Sequence, residues 1–538
     1  MNKKAKVIVI GLDGCTWNII KPLVNQGKLP TFAKLMKNGA YGNLESSIPY
    51  STFPAWKCYS TGKNPGKIGG ITAFVRPDLN KHDIVLNDST SFKSGEIWDI
   101  LNKHKFTCGI LNMPTTYPPK NINSFMVSQA LHETSNYTYP QDLEKELTDN
   151  FKYKIHPKYT YFVDKDKAIA NCIEIVNMRF NVAKYLLKKY KLDMFQLTIF
   201  YTDHIQHYYW KDMEEENEKY GSVIEDLWKN IDRNIKNLLK DFKDSYVILM
   251  SDHGFTSLHG EFNILKWLID NNYTILSNKA LRIDILRKIG LSLENLIKIA
   301  NKFKILDLLK KIIPKKLQMK LLANIPGKTG IIRLSLGDKN IFSWSESKII
   351  PITVPTSSGY YINRNKLSQE NIDYEKFRNE VIEKLKNIKS SRGDFLFKNV
   401  YKREEIYSGD YVNLCPDIIG AFDEKQTIIP TQSLSNIQWD FSKSNWSGVH
   451  KLHGIFCISG PEIKKNKEIE NAKIIDLAPT ILHLFNVPIP VDMDGKVLLE
   501  IFQENSIFKK NKIIYSKSQN EKYRIKKKIL KLKENHKI

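Results

Sequence analysis

A chain of 538 residues, 42% hydrophobic and 26% charged, has the composition of a folded globular protein and the length for several domains or one large domain with an insertion. No apolar run approaches the roughly 18–20 residues of a membrane-spanning helix, and the opening "MNKKAKVIVIGLDG" breaks at Gly11 and Asp13 with no small-residue cleavage site, so the expected location is cytoplasmic. Six cysteines without paired short spacing argue against a disulfide scaffold or thiolate zinc site, while the net charge of +24 fits either an anionic partner or the Lys-, Asn- and Ile-rich drift of the whole chain.

In chain order, "KVIVIGLDG", "FTCGILNMP", "DMFQLTIFYT" and "SYVILMSDHG" are short apolar runs bounded by turn residues, the pattern of buried parallel strands. Between them stand helical texts such as "SGEIWDILNKH" and "AIANCIEIVNMRFNVAKYLLKKY". Strands alternating with helices predict a doubly wound, mostly parallel sheet covered on both faces. The pattern changes near residue 279. Residues 279–333 hold 14 Lys and Arg against three acids, with Leu293, Leu296, Ile297 and Ala300 at helical spacing. This predicts a basic helical insertion over 279–335, packing as a cap or lying on an anionic membrane surface. The expected organisation is then a first part of the α/β domain over 1–278, the cap, a second part over 336–505, and a basic tail over 506–538. The basic segments lack interleaved aromatics, and no helix-turn-helix or finger spacing occurs, so specific nucleic-acid binding is not expected.

Several residues with metal-binding side chains fall at the edges of these strands. Asp13 follows the first; Asp203 and His207 follow "MFQLTIFYT"; Asp252 and His253 follow "YVILMS"; His450, in "WSGVHKLHG", precedes "IFCISG". In open parallel sheets, ligands gather in the crevice outside the carboxyl ends of the strands. Asp203 and His207, four apart, share one face of a helix. Asp252 and His253 are adjacent, and both can face one site only where the strand ends, with Gly254 as the expected turn; His450 is expected in a loop folded over the crevice. Carboxylate and imidazole together suit a divalent ion such as zinc. Taken singly, each has an ordinary alternative as a helix cap, turn residue or surface histidine. Thr52, in "YSTFPAW", is a candidate nucleophile, because a hydroxyl becomes reactive only beside a base or a metal.

The segments "VIVIGLDGCTW", "TFPAWKCYSTGKNPGKIGG", "YTDHIQHYYW", "SDHGF", "WSGVHKLHGIFCISGP" and "IIDLAPTILHLFNVPIPVDMDGKVL", in this order, resemble the type I phosphodiesterase/nucleotide pyrophosphatase family of the alkaline phosphatase superfamily. "EIWDILNKH", "NMPTTYPP" and "KREEIYSGDYVNLCPDII" extend the likeness, which runs from about residue 5 to about residue 503 apart from the basic insertion. The resemblance implies an alkaline-phosphatase-like α/β fold and a hydrolase of phosphodiester or pyrophosphate bonds. It further implies a phospho-threonine intermediate on Thr52 and two divalent ions, zinc or alternatively manganese. One ion would be held by Asp13, Asp252, His253 and Thr52, the other by Asp203, His207 and His450, with His453 as an alternative to His450 that lacks the family's G-x-H spacing from Gly448. The expected substrate is a phosphorylated small molecule, lipid or sugar.

The chain departs from the family at two places. Nucleotide pyrophosphatases usually carry Asn after Thr-Phe-Pro, and this chain has Ala55; relatives reading "GKHG" have His where this chain has Ile68. The first puts nucleotide specificity in doubt. Competing readings are a phosphomonoesterase, phosphonate hydrolase or phosphotransferase of the same superfamily, and a non-catalytic scaffold docked on anionic surfaces.

Overall fold

Val7–Leu12 reads Val-Ile-Val-Ile-Gly-Leu, and its side chains leave the strand alternately to two sides. Ile8, Ile10 and Leu12 enter one apolar core, and Val7 and Val9 enter another. A strand buried on both faces belongs in the middle of a covered sheet, and that is its place. In the computed structural model, which describes residues 6–69, 75–78, 83–130, 134–158, 164–278, 280–281, 342–354, 357–390, 393–422, 428–432, 438–441 and 446–516, it is the fifth of nine strands. The order is Lys467–Lys473, Gly39–Glu45, His453–Ser459, Tyr246–Met250, Val7–Leu12, Met194–Ile199, Cys108–Leu111, Ser124–Val127 and Thr138–Tyr139.

Val7–Leu12 pairs in parallel with Met194–Ile199 on one side and Tyr246–Met250 on the other. Cys108–Leu111 and Ser124–Val127 continue the parallel run. Two strands run against it. Thr138–Tyr139 is a short edge, whereas His453–Ser459 lies inside the sheet, antiparallel to both Tyr246–Met250 and Gly39–Glu45. The helices Lys165–Lys189, Tyr201–Glu214 and Val223–Leu239 supply apolar faces to the core of Ile8 and Ile10. Thr52–Thr61, Ile97–Lys103 and Leu477–Leu484 cover the opposite face. All four strands expected from the first half of the sequence are present and parallel.

A second, smaller sheet follows. Ile349–Val354, Ser357–Ile362, Ile418–Phe422 and Phe397–Lys402 form four antiparallel strands in that order. Helix Tyr374–Lys386 packs on them through Phe377, Val381 and Leu385. The basic insertion expected over 279–335 lies outside the described residues except for 280–281, and so do residues 517–538 of the tail. Among the described residues, no helix is long and apolar enough to cross a membrane.

Candidate metal centre

Asp13 is placed by the end of the first strand. Its backbone N–H still donates to Ile199 O at 3.1 Å, and the chain then turns at Gly14, whose φ of 67° suits glycine. The Gly14 N–H donates to Asp252 Oδ1 at 3.2 Å, tying this turn to the next strand end. Thr52 opens helix Thr52–Thr61; Ser51 stands at the N-cap position in extended conformation, with no side-chain hydrogen bond to the helix. Pro54 is tolerated two residues further on because the first-turn N–H groups have no intrahelical partner. The helix ends at Gly62, in the left-handed region at φ 66°.

Asp203 and His207 lie on helix Tyr201–Glu214, one turn apart, with His207 Nε2 3.3 Å from Asp203 Oδ2. Asp252 and His253 follow strand Tyr246–Met250 in a bend. Gly254 begins a new strand, Gly254–Ser257, where a turn was expected; its hydrogen is required because a Cβ there would stand 2.0 Å from the His453 carbonyl oxygen. His450 also differs from expectation. It sits on a strand, Gly448–Lys451, paired antiparallel to Gly254–Ser257 with His450 opposite Phe255, so ladder bonds fix it more firmly than a loop would.

These residues meet in one buried crevice. His450 Nε2 lies 3.0 Å from Asp203 Oδ1 and 3.1 Å from His207 Nε2. His253 Nε2 lies 3.2 Å from Asp252 Oδ2, 3.6 Å from Asp13 Oδ1 and 3.5 Å from Thr52 Oγ1. Ligand atoms of Asp13, Asp252 and His253 fall within 4.8 Å of one another, and so do those of Asp203, His253 and His450. His253 thus stands between the two groups, its ring stacked on His450 at 3.6 Å. His453, the alternative to His450, heads strand His453–Ser459 opposite Glu45 and is not part of either group.

The protons explain what the crevice is suited to. His207 Nδ1 lies 2.8 Å from Gly448 O, His253 Nδ1 3.1 Å from Gly254 O, and His450 Nδ1 3.4 Å from Tyr50 O. A carbonyl only accepts, so each Nδ1 carries the proton and each Nε2 presents a lone pair inward. The lone pairs of His207 and His450 therefore face one another and the Asp203 carboxylate. Asp13 Oδ1, Asp203 Oδ1 and Asp252 Oδ2 are buried and have no hydrogen-bond donor. Burial, followed by the neighbouring Asp252 and Asp203 carboxylates, pushes Asp13 well above the usual carboxylate range; burial above all does the same for Asp252. Burial works against ionised Asp203 too, and only positive charge on His207 and His450 would hold it well below that range; with both rings neutral that charge is missing. Burial pushes His253 well down and His450 down, favouring their neutral forms. Three orphaned carboxylate oxygens facing imidazole lone pairs form an electron-rich pocket that positive charge would relieve. Oxygen and nitrogen donors of this kind fit divalent ions such as zinc or manganese.

Some contacts around the crevice were not singled out from the sequence. Trp56 is fully buried and its indole N–H donates to Asp13 Oδ2 at 3.0 Å. The available signal was its spacing of four from Thr52 on a helix. Trp446 stacks on His207 with ring centroids 3.8 Å apart. Gly448, noted for its spacing from His450, accepts from His207, and a Cβ on it would stand 2.5 Å from Gln206 O.

A mostly parallel, doubly wound sheet with acid and imidazole side chains gathered at its carboxyl edge defines an alkaline-phosphatase-like α/β enzyme. A family model described as "Type I phosphodiesterase / nucleotide pyrophosphatase" matches residues 7–450, and the chain belongs to that family of metal-dependent hydrolases. Among solved structures, phosphonoacetate hydrolase from Sinorhizobium meliloti, in complex with phosphonoformate, is 13% identical, with 90% of this chain and 96% of that chain covered and a TM-score of 0.51. Human ectonucleotide pyrophosphatase/phosphodiesterase 5 is 16% identical over 93% of this chain and 100% of its own, with a TM-score of 0.47. An inactive murine form of the same enzyme, in complex with AMP, is 15% identical over the same shares, with a TM-score of 0.48. The search of curated proteins found no match.

Proposed function

We propose that this chain hydrolyses phosphodiester or pyrophosphate bonds of a phosphorylated small molecule, with Thr52 as the nucleophile. The observation that carries the reading is the Thr52 hydroxyl beside His253 in a pocket of inward-facing Nε2 lone pairs and orphaned carboxylate oxygens. Asp13, Asp252 and His253, with Thr52 Oγ1, would hold one divalent ion, and Asp203, His207 and His450 the other. Such ions acidify a nearby hydroxyl and water and offset the charge on a departing oxygen.

The residues of the chain do the rest. Helix Thr52–Thr61 presents Thr52 at its first position, where the dipole and free N–H groups favour the anionic phosphoryl group. Thr52 loses its hydroxyl proton to solvent as Oγ1 forms a bond to phosphorus, and the bond from phosphorus to the leaving oxygen breaks with its electron pair on that oxygen, which takes up a proton. Water then attacks the phospho-threonine, releasing phosphate monoester and restoring the hydroxyl. Ala55 is fully buried and brings no polar group to the phosphoryl oxygens, so the reading stops at the bond class and does not extend to nucleotides.

The test is cleavage of bis(p-nitrophenyl) phosphate against p-nitrophenyl phosphate after chelation and after return of zinc or manganese. Cleavage of the diester that returns with metal supports the proposal. A strong monoester preference would replace it with phosphomonoesterase chemistry, and silence in a chain that binds no metal would replace it with a scaffold role.

A further inference from the structure

Trp56 packs where a core tryptophan would, yet its polar atom is not spent on the core. Its indole N–H meets Asp13 Oδ2 at 3.0 Å, while Asp13 Oδ1 keeps no donor and faces His253 Nε2 at 3.6 Å. Both Trp56 and Asp13 are fully buried, so water does not compete for either oxygen. The ring itself has little freedom. It lies over Gly11, where a Cβ would come within 2.3 Å of its Cη2 carbon, and Tyr59 packs edge-on against it at 5.9 Å. Tyr59 is in turn held by Gln196, whose Oε1 accepts its hydroxyl at 2.7 Å.

We propose that Trp56 is a positioning residue for the first metal site, assigning Asp13 Oδ2 to the indole so that Oδ1 alone faces the cation. This rests on the reading of Asp13 as a metal ligand. Thr52 and Trp56 are four residues apart and share one face of the same helix. One rigid turn therefore carries both the nucleophilic hydroxyl and the donor that orients the carboxylate beside it. Gly11 is part of the device, because any side chain there would push the indole off Asp13. Partners that orient a metal-binding carboxylate in this way typically contribute 10–100-fold to metal affinity.

The experiment compares the unaltered protein with Trp56→Phe, which keeps an aromatic ring at this helix position, lacks the donor, and leaves a small cavity where the outer ring of the indole lay over Gly11. Calorimetric titration of the metal-free proteins with zinc should show first-site affinity falling about 10–100-fold in W56F, with the second site little changed; the lost indole packing lowers the metal-free melting temperature as a separate effect. With metal saturating, kcat should fall while KM moves little. A folded W56F that binds zinc at both sites like the unaltered protein would overturn the inference and leave the function proposal standing. No zinc binding by the unaltered protein would overturn both. Should W56F fail to fold, the unaltered protein labelled at its nine tryptophan indole nitrogens carries the test. Filling the first site with zinc should move an indole N–H signal, also in an Asp203→Asn background that weakens the second site, and no movement overturns the inference.

Discussion

Thr52 has no ordinary structural duty that would explain its position. It is buried, its hydroxyl stands 3.5 Å from His253, and it occupies the first helical position rather than the N-cap position, which is Ser51. Thr52→Ala should therefore fold and bind divalent metal while turnover drops on the order of 10⁴–10⁶-fold. The check is a single-turnover assay beside a zinc titration; unchanged turnover would remove Thr52 from the chemistry. At this scale the sequence was informative wherever residue type alone limits the chemistry. Asp203 with His207 at helical spacing, and Asp252 with His253 at a strand end, have few joint uses in a buried crevice. Trp56 was not legible, since a tryptophan in apolar text reads as packing, and its contact with Asp13 exists only once the helix meets the strand.

Helix Thr52–Thr61 needs an anchor, and it has an unusual one. Lys57, 1% exposed, pairs with the equally buried Glu96 at 2.6 Å, and Lys120 meets the other Glu96 oxygen at 2.7 Å. Burial opposes ionised Glu96, but Lys57 and Lys120 together hold its pKa below the usual glutamate value; Lys57 has one such carboxylate partner, and burial pushes its own pKa down. Glu96→Gln leaves Lys57 buried without its counter-charge and should destabilise the protein by about 3–5 kcal/mol. The pH dependence has a definite sign. A carboxyl whose folded pKa is depressed stabilises above its unfolded value of 4.5 and loses that contribution as pH falls through the folded value. Melting curves of the metal-free protein should therefore lose stability below about pH 4.5 more steeply than those of E96Q; parallel curves would show that Glu96 carries no such linkage. Element boundaries were less legible than residues. "WSGVHKLHG" holds glycines and polar residues that read as loop, and the strand Gly448–Lys451 exists because Gly254–Ser257, nearly 200 residues earlier, offers it a ladder. Local text cannot express a pairing set by so distant a partner.

At the scale of the whole molecule, the crevice draws on Asp13, Thr52, Asp203, Asp252 and His450, residues spread over most of the chain. A ligand that joins such distant parts stabilises the fold as a whole. Zinc or manganese at about 100 times its dissociation constant should add about 2.7 kcal/mol per site, raising the melting temperature reversibly on addition and lowering it on chelation. A melting temperature indifferent to both would argue against a resident ion. The mostly parallel sheet was legible because its buried strands are unbroken apolar runs; the interior antiparallel strand was not, because "HGIFCISGP" has the same composition in either direction. That strand has a consequence for biosynthesis. His453–Ser459 seals the sheet between Gly39–Glu45 and Tyr246–Met250, both made far earlier. At about 5–20 residues per second, the ribosome needs roughly 10–40 s to get from one to the other. Throughout that interval one edge of Tyr246–Met250 and both edges of Gly39–Glu45 stand bare, an invitation to wrong pairing unless a chaperone shields them. A nascent chain halted anywhere before residue 450 lacks His450 and the sealing strand together, so premature stop codons across the gene should yield aggregation-prone fragments without residual activity.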